Sequence, residues 1–391
     1  MLSKFKNWFD RWGRITPHSS LYDRALFLLF IILLFIGFVA VTTASFPVAA
    51  KLYDDPLYFT IRDAVYIVTG LACFFFVLQI PTEKWEKWSN WLYLLALLSL
   101  IVVLIVGRNI NGATRWISFG FVNFQPAELA KLALICYLSS FFVRKYDAVL
   151  TKKLIFGRPT LVCGILIIFL LCQPDLGSSV VLFVITFGML FVVGAKLFQF
   201  LLLIGMGAGA IMFLILISPY RMKRVTSYLD PFADAFGSGY QLSNSLMAFG
   251  NGEFWGQGLG NSVLKLEYLP EAHTDFVMAI IGEEFGFVGI LLIIILLSAL
   301  VFRAFKIAKE SLKLEARFRG FFAFGIGFWI FFQGFVNLGV TIGLLPTKGL
   351  TFPLISYGGS SLIIMCVAMG ILLRIDHENR MATGHAHLRD D

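Results

Sequence analysis

The sequence predicts an all-α polytopic membrane protein with about ten transmembrane helices and one large outer loop between helices seven and eight. Of its 391 residues, 58% are hydrophobic and 14% are charged, whereas ordinary soluble domains carry roughly 25% charged residues. The mean hydropathy is +0.82, and apolar runs of about 20 residues recur along the chain. Inside lipid a chain must satisfy its own backbone hydrogen bonds, which favours helices over isolated strands.

The apolar runs define ten spans, with ends uncertain by several residues. They cover roughly residues 25–44, 61–79, 91–107, 126–143, 158–172, 177–194, 197–218, 276–302, 320–342 and 355–373. We therefore divide the chain into a cytoplasmic N-terminal tail (1–24), a membrane domain (25–373) with its outer loop at 219–275, and a cytoplasmic C-terminal tail (374–391). No cleavable signal peptide is expected, because the first apolar run is long enough to span a bilayer.

The distribution of basic residues predicts the orientation. Lys and Arg number 22 in the tails and even-numbered gaps and 9 in the odd-numbered gaps, with Arg158 and Arg62, at span starts, counted in the gaps beside them. The positive-inside rule therefore places both termini in the cytoplasm. The net charge of +8 is explained by this topology, which argues against nucleic-acid binding. None of the five cysteines forms a CxxC pair, so neither a disulfide scaffold nor a zinc site is expected.

The loop at 219–275 is long for a compact protein, and such loops are usually functional or disordered. Tyr240, Leu242, Leu246 and Phe249 predict a short amphipathic helix that could lie at the membrane interface. The glycine-rich run at 256–260 resembles a phosphate loop but lacks the preceding strand that such loops require. Tight turns are the better interpretation of this run.

The end of that loop, from Glu267 to Phe276, gathers three carboxylates and a histidine just before a long apolar helix. Glu271 and His273 are candidate substrate contacts, unless they are merely solvated. Asp275 lies at the mouth of helix eight, where it is either an N-terminal cap or a general base. Glu283 and Glu284 follow deeper in the helix and are expected to pair with arginine or lysine on neighbouring helices.

Lys131 is an intramembrane lysine near the start of helix four. Pro126 suits the first turn of that helix, which places Lys131 about 7–8 Å further along it. Glu128 is three residues earlier, on the same face. The two are therefore a structural ion pair, or Lys131 is a cation in an outward cavity that meets a pyrophosphate.

Two short polar loops carry further candidates. Asp175 follows a proline at a helix start, where a carboxylate is favoured by the helix dipole. It either stabilises that helix end or takes part in cation coordination or in pairing with Lys131. In the loop at 345–361, Lys348 is either a snorkelling anchor or a phosphate ligand. The clearly apolar run that follows is only 12 residues long (362–373), so helix ten must begin inside the polar, glycine-rich segment.

Five segments of the chain resemble the SEDS family (shape, elongation, division and sporulation), and in particular its division branch. They are residues 111–116, 125–131, 173–179, 220–276 and 345–361. Several long motifs in one order are more specific than any single motif, and the resemblance spans nearly all ten helices. The runs at 268–276 and 348–361 match the division branch rather than the elongation branch.

The resemblance implies a peptidoglycan glycosyltransferase that polymerises lipid II on the outer face of the bacterial inner membrane, at the division septum. The family's essential aspartate falls on Asp275, and its other important positions fall on Trp116, Lys131, Asp175 and Lys348. We expect Asp275 to be catalytic. The expected substrate-binding residues are Arg115, Trp116, Lys131, Asp175, Glu271, His273, Lys348 and Ser356.

The resemblance also implies a class B penicillin-binding transpeptidase and other divisome membrane proteins as partners. A divalent cation, Mg²⁺ or Mn²⁺, is a candidate cofactor, with Asp175 or Asp275 as its ligand. Two other functions stay open at this point: a lipid II flippase and a divisome membrane scaffold. A flippase is expected to contain inverted repeats, and the sequence contains no convincing one.

Overall fold

The computed structural model describes residues 22–110, 113–119, 122–146, 157–194, 228–346 and 349–387, together with scattered residues between 201 and 222. This part of the chain contains ten helices and three strands. In chain order they are α1 (Arg24–Tyr53), α2 (Tyr58–Leu78), α3 (Thr82–Val106), β1 (Arg108–Ile110), β2 (Ala113–Phe119), β3 (Val122–Phe124), α4 (Pro126–Arg144), α5 (Gly157–Cys172), α6 (Leu176–Val192), α7 (Tyr240–Gly252), α8 (Val277–Lys313), α9 (Arg317–Thr341) and α10 (Gly359–His387).

The predicted fold class is confirmed. Within the described ranges, α1–α4 and α8–α10 are long and apolar enough to cross a membrane, while α5 and α6 are shorter apolar helices of 16 and 17 residues. The span expected at 197–218 lies mostly outside the described residues. As the sequence predicted, α10 begins inside the glycine-rich segment, at Gly359.

A small antiparallel sheet between α3 and α4 was not predicted. Its strand order is β1-β2-β3, with Trp116 opposite Arg108 and Ile117 opposite Phe124. The β-prone residues of β2 have the right character for such a strand. The hydropathy pattern could not reveal it, because the strands are short and lie outside the apolar runs.

The centre of the bundle is formed by α4 and α9. The α4 side chains of Leu134 and Ile135 are fully buried, as is Trp329 of α9. The two helices approach closely at Gly325, where an added Cβ would lie 2.4 Å from Ile135 Cγ2. Lys131 of α4 and Gln333 and Asn337 of α9 are accordingly buried in the protein interior rather than exposed to lipid.

The long helix α8 is broken at Gly286, where the backbone adopts φ 65° and ψ −164°. The sequence predicted an uninterrupted span here, and that expectation is corrected. Residues 253–258 of the preceding loop lie against the break and bond its free backbone groups. The amides of Phe287 and Val288 donate to the carbonyls of Glu253 and Phe254 (3.0 and 3.2 Å), and those of Gln257 and Gly258 donate to Glu283 and Glu284 (both 2.9 Å). The backbone groups freed at the break are thus satisfied by protein.

The short helix and the tight turns predicted for the rest of this loop are present, whereas the place of the helix at the membrane interface stays a prediction. The predicted amphipathic helix is α7, which buries Leu242, Ser243 and Ala248. It packs on α8, where Phe249 and Gly252 lie against Gly282. Gly256, Gly258 and Gly260 all have positive φ, as tight turns require.

Candidate active site at one end of the helix bundle

Three polar segments converge at the end of the bundle where α6, α8 and α10 begin. The side chain of Asn337, in the last turns of α9, donates to the carbonyls of Asp275 (2.8 Å) and Leu350 (2.6 Å). The amide of Tyr357 donates to the carbonyl of His273 (3.0 Å). Gly177, after Asp175, lies against Leu350. The described parts of the segments that the sequence singled out at 173–179, 267–276 and 345–361 therefore form one site.

Asp275 lies one residue before the N-cap of α8, which is Phe276. The interpretation of Asp275 as the N-cap residue is therefore wrong. Asp275 is half-buried, and its carboxylate lies beside the backbone of Gly349, where an added Cβ would be 2.7 Å from Oδ2. The site thus holds a carboxylate between two polar loops, at the end of a membrane-spanning helix.

Glu271 is exposed and shapes the turn that precedes α8. Its φ of 56° is unusual for a residue with a side chain, and its carbonyl accepts hydrogen bonds from the amides of Thr274 and Phe276 (both 3.2 Å). Its carboxylate accepts a hydrogen bond from the Thr274 hydroxyl (2.7 Å). Glu271 therefore stabilises the turn and still presents negative charge to solvent.

His273 is buried between two aromatic rings. Its ring centroid lies 4.6 Å from that of Phe59 and 5.5 Å from that of Tyr357. Only 8% of its surface is exposed. Burial lowers the pKa of His273, and the nearby Glu271 carboxylate opposes this shift, so the imidazole is held in its neutral form. Burial also raises the pKa of Tyr357, which stays a phenol.

Lys131 is fully enclosed. Its ammonium donates to Glu128 Oε1 (2.7 Å) and to Gln333 Oε1 (2.9 Å), and it lies 5.3 Å from the centre of the Trp329 ring. These contacts match the first of the two interpretations of Lys131, a structural ion pair with Glu128. The binding of a pyrophosphate by Lys131 stays a prediction, because its ammonium lies in no open cavity here.

The glycine-rich segment before α10 is held by hydroxyl groups. Ser356 Oγ accepts from the amide of Phe352 (2.8 Å) and stabilises a local turn. Ser360 Oγ accepts from the amide of Gln125 (2.8 Å) and donates to the carbonyl of Asn123 (2.6 Å). Ser356 thus has a structural contact here, and its expected substrate contact stays a prediction. Lys348 lies outside the described residues.

Asp175 is the N-cap of α6 and is 2% exposed. Its carboxylate accepts from the amide (3.1 Å) and the hydroxyl (2.7 Å) of Ser178. The helix-end interpretation therefore describes the observed contacts. Within the described ranges, no three His, Cys, Asp or Glu side chains gather as a metal site would require, and a cation at Asp175 or Asp275 stays a prediction.

Arg115 and Trp116 lie on β2, beside the loop that precedes α6. The guanidinium of Arg115 donates to the carbonyls of Gln173 and Pro174. Both side chains are half-buried. The sheet thus places one cation and one aromatic ring next to the polar loops.

The carboxylates inside α8 are paired with the large loop, not with neighbouring helices as expected. Glu284 forms a buried ion pair with Lys265 (2.7 Å). Glu283 accepts from the loop groups Asn251 Nδ2, Ser262 Oγ and the amides of Val263 and Leu264. These two residues therefore fix the loop to the broken helix, close to the turn that carries Asp275.

Two site residues were missed by the sequence interpretation: Gln333 and Asn337. They lie four residues apart on α9, are almost fully buried, and contact Lys131 and Asp275 respectively. The sequence pattern that could have identified them is a pair of carboxamide side chains on one face of an otherwise apolar helix.

The chain is similar over its whole length to known proteins. It is 61% identical to "Probable peptidoglycan glycosyltransferase FtsW" of Pasteurella multocida, covering 100% of this chain and 99% of the relative. It is 52% identical to the protein of that name from Escherichia coli O6:H1, covering 96% and 90%.

Two solved structures share the fold and show that the likeness extends to three dimensions. One is described as "Structural coordination of polymerization and crosslinking by a peptidoglycan synthase complex", with TM-score 0.74, 32% identity, and 92% and 98% of the two chains covered. The other is the Rod shape determining protein RodA of Thermus thermophilus, with TM-score 0.68, 29% identity, and 92% and 97% covered. Residues 23–381 match the family FTSW_RODA_SPOVE, described as "Cell cycle protein". The chain therefore belongs to this family, which confirms the SEDS resemblance of its motifs.

Proposed function

We propose that this protein is a peptidoglycan glycosyltransferase that polymerises lipid II into glycan strands at the division septum, with Asp275 as the general base. Relatives of 61% and 52% identity carry this activity in their names. The observation that carries the residue assignment is the half-buried carboxylate of Asp275, held between two polar loops at the end of the bundle.

The reaction is an inverting displacement. The C4 hydroxyl oxygen of the acceptor's GlcNAc forms a bond to C1 of the donor's MurNAc. The bond from C1 to the pyrophosphate oxygen breaks, and undecaprenyl pyrophosphate leaves with the electron pair. The hydroxyl proton passes to the Asp275 carboxylate. An alcohol is a weak nucleophile, and a positioned base contributes typically about 10²–10⁴-fold to such a step.

The leaving pyrophosphate requires positive charge. Arg115 is one candidate, because it is half-buried and bonds the loop that precedes α6. Lys348 and a divalent cation are the other candidates. The charge of Lys131 is already balanced by Glu128, so a pyrophosphate would have to displace that carboxylate.

The remaining contacts suit a sugar–phosphate substrate. Trp116 offers an aromatic face on which a sugar ring can pack, and Glu271 offers an exposed acceptor for sugar hydroxyls. His273 is neutral and enclosed, and it supports the site by packing between Phe59 and Tyr357. The lipid tail stays in the bilayer beside the bundle, which accounts for an enzyme built almost entirely of apolar helices.

We further propose that the protein works in the bacterial inner membrane with both termini in the cytoplasm, together with a class B penicillin-binding transpeptidase and other divisome proteins. The similar structure described as a peptidoglycan synthase complex supports such a partnership. Cysteine labelling at Ser238→Cys, in a variant that lacks the native cysteines, tests the orientation. An impermeant reagent applied from the periplasmic side should label it, and labelling only after membrane disruption would overturn the topology.

The decisive experiment compares Asp275→Asn with Asp230→Asn. Asp230 is an exposed carboxylate before α7 that accepts from the amide of Ala233, so its change removes the same charge without altering a contact of Asp275. With purified protein, its transpeptidase partner and labelled lipid II, Asp275→Asn should abolish polymer while folded yield and partner binding stay normal. Asp230→Asn should polymerise like the wild type. Near-normal polymer from Asp275→Asn would remove it as the base.

The same reagents separate the rival functions. In proteoliposomes, a polymerase yields glycan chains, a flippase moves labelled lipid II across the bilayer without joining it, and a scaffold does neither. Transbilayer movement without polymer, in the presence of the partner, would replace the proposed activity with transport.

A further inference from the structure

Helix α9 carries two buried carboxamides that the proposed chemistry does not use. Gln333 is 0% exposed and Asn337 is 2% exposed. They are four residues apart, which places them on one face of the helix. Polar side chains inside a membrane protein are expensive and usually functional, so their partners are informative.

Gln333 has a partner for each of its polar atoms. Its Oε1 accepts from Lys131 Nζ (2.9 Å) and from Trp329 Nε1 (2.7 Å). Its Nε2 donates to the carbonyl of Thr351 (3.0 Å). This residue therefore joins the buried ion pair of α4 to the glycine-rich segment.

Asn337 is placed differently, because both of its contacts are to backbone carbonyls of the site. Its Nδ2 donates to the carbonyl of Asp275 (2.8 Å) and to that of Leu350 (2.6 Å). Its Oδ1 has no hydrogen-bond partner among the described residues. One NH₂ group thus ties together two loops that are 75 residues apart in the chain.

The two hydrogen bonds of Asn337 hold the Asp275 backbone, and so the position of its carboxylate, relative to Gly349. Gly349, which precedes Leu350, is the residue whose backbone lies beside Asp275 Oδ2. Asn337 holds the backbone of both Asp275 and Leu350, and the bond from the Tyr357 amide to the His273 carbonyl (3.0 Å) is a second link between the same two segments. The Asn337 link is the one at Asp275 itself, so its loss leaves only the link at His273 and allows Asp275 to shift relative to Gly349.

We propose that Asn337 is a positioning residue, which aims the Asp275 carboxylate by holding the Asp275 and Leu350 carbonyls on one NH₂ group. This inference rests on the proposed role of Asp275 as the base. A misplacement of about 1 Å can lower a rate by about 10²-fold. Loss of the tie is therefore expected to reduce turnover strongly while substrate binding, which involves other residues, changes little.

The chain contains a matched control at the opposite end of the bundle. Asn379 of α10 is 3% exposed, donates from Nδ2 to Ser311 Oγ (2.8 Å) and the Ile307 carbonyl (3.4 Å), and likewise has no described partner for Oδ1. Asn337→Leu and Asn379→Leu remove the same donor from similar surroundings. Only the first change touches the Asp275 turn. Asn337→Ser, which keeps one donor, is a milder variant if Asn337→Leu folds poorly.

The test combines kinetics with hydrogen exchange on the full-length protein and its partner. Asn337→Leu should lower kcat for lipid II polymerisation by roughly 10- to 100-fold, with KM within about threefold, and Asn337→Ser should fall between it and wild type. Amides at 271–277 and 349–357 should exchange faster in Asn337→Leu and at the wild-type rate in Asn379→Leu.

The outcomes separate this inference from the proposed function. If hydrogen exchange in both loops is unchanged in Asn337→Leu, the inference that Asn337 holds the two loops together is wrong, whatever the polymerisation activity. An equal fall in kcat in Asn379→Leu would reduce Asn337 to a scaffold residue, and a rise in KM without a fall in kcat would also overturn its positioning role. If Asp275→Asn polymerises normally, the base assignment fails, and with it the proposal that Asn337 aims that base.

Discussion

Replacing Lys131 by methionine should destabilise the protein severely, and replacing its partner as well should restore stability. The side chains of Lys131 and Glu128 are 0% and 5% exposed. Lys131 is the described partner of the Glu128 carboxylate, because Oε1 accepts from its ammonium while Oε2 has no described partner. In Lys131→Met, a buried carboxylate is left without its cation.

The magnitude follows from this burial. Breaking a buried ion pair by removing one member costs about 3–5 kcal/mol, whereas replacing the whole pair by uncharged groups is often close to neutral. Gln333 keeps one donor, Trp329 Nε1, in either variant. We therefore expect Lys131→Met to lose about 3–5 kcal/mol, and the double variant Glu128→Gln with Lys131→Met to recover most of it.

The assay is thermal unfolding and folded yield of the detergent-purified protein. Lys306→Met is the control, because Lys306 forms a half-exposed pair with Glu310 at 3.9 Å and such pairs contribute about 0–1 kcal/mol. A wild-type Tm for Lys131→Met would refute the reasoning. Polymerisation by the same variants then decides the second role: recovery of activity in the double variant removes Lys131 from the substrate site, and stability without activity assigns it there.

Three further outcomes are expected. Gly256→Ala and Gly260→Ala both place Ala at positive φ (84° and 83°), at about 1–2 kcal/mol of strain. Gly256→Ala should lower Tm further, because its Cβ would lie 2.2 Å from Glu284 O while Gly260 faces open space; equal Tm values would contradict this. Gly349→Ala should displace the Asp275 carboxylate and reduce polymerisation by about 10-fold or more at near wild-type Tm, and unchanged activity would argue against the observed contact. Burial lowers the pKa of His273, so its contribution to stability is complete above about pH 6.5 and is lost as the pH falls through the lowered pKa. His273→Phe should therefore reduce the fall of Tm between about pH 7 and about pH 5, as measured by thermal scans in matched buffers.

Apolar run length predicted the seven long apolar helices α1–α4 and α8–α10, because a bilayer imposes one hydrophobic thickness on every span. The start of α10 was predicted for the same reason: the apolar run from residue 362 is too short to span alone. The break in α8 was not, because Gly286 lies in a run whose hydropathy is unaffected by one glycine. Its cause is the docking of residues 253–258, which only the folded chain reveals.

The sequence predicted some residues of the site but not most of their contacts, because those contacts join parts of the chain that are far apart in sequence. Motif resemblance singled out Asp275, Asp175 and Lys131, but sequence spacing left open what each of them contacts. The partner of Lys131 three residues earlier could be predicted from helix geometry, whereas Gln333 lies 202 residues away. Likewise, nothing local to Asp275 indicates that its carbonyl is held by Asn337.

The break in α8 has a consequence for how the protein is inserted into the membrane. When α8 first enters the bilayer, Glu283 and Glu284 and the backbone groups freed at Gly286 have no partner of their own within the helix. Each uncompensated backbone group in hydrocarbon costs several kcal/mol. The segment that bonds them, residues 253–265, immediately precedes α8 in the chain. Since these contacts come from the adjacent loop, a change that removes them should appear first as a lowered folded yield of the protein.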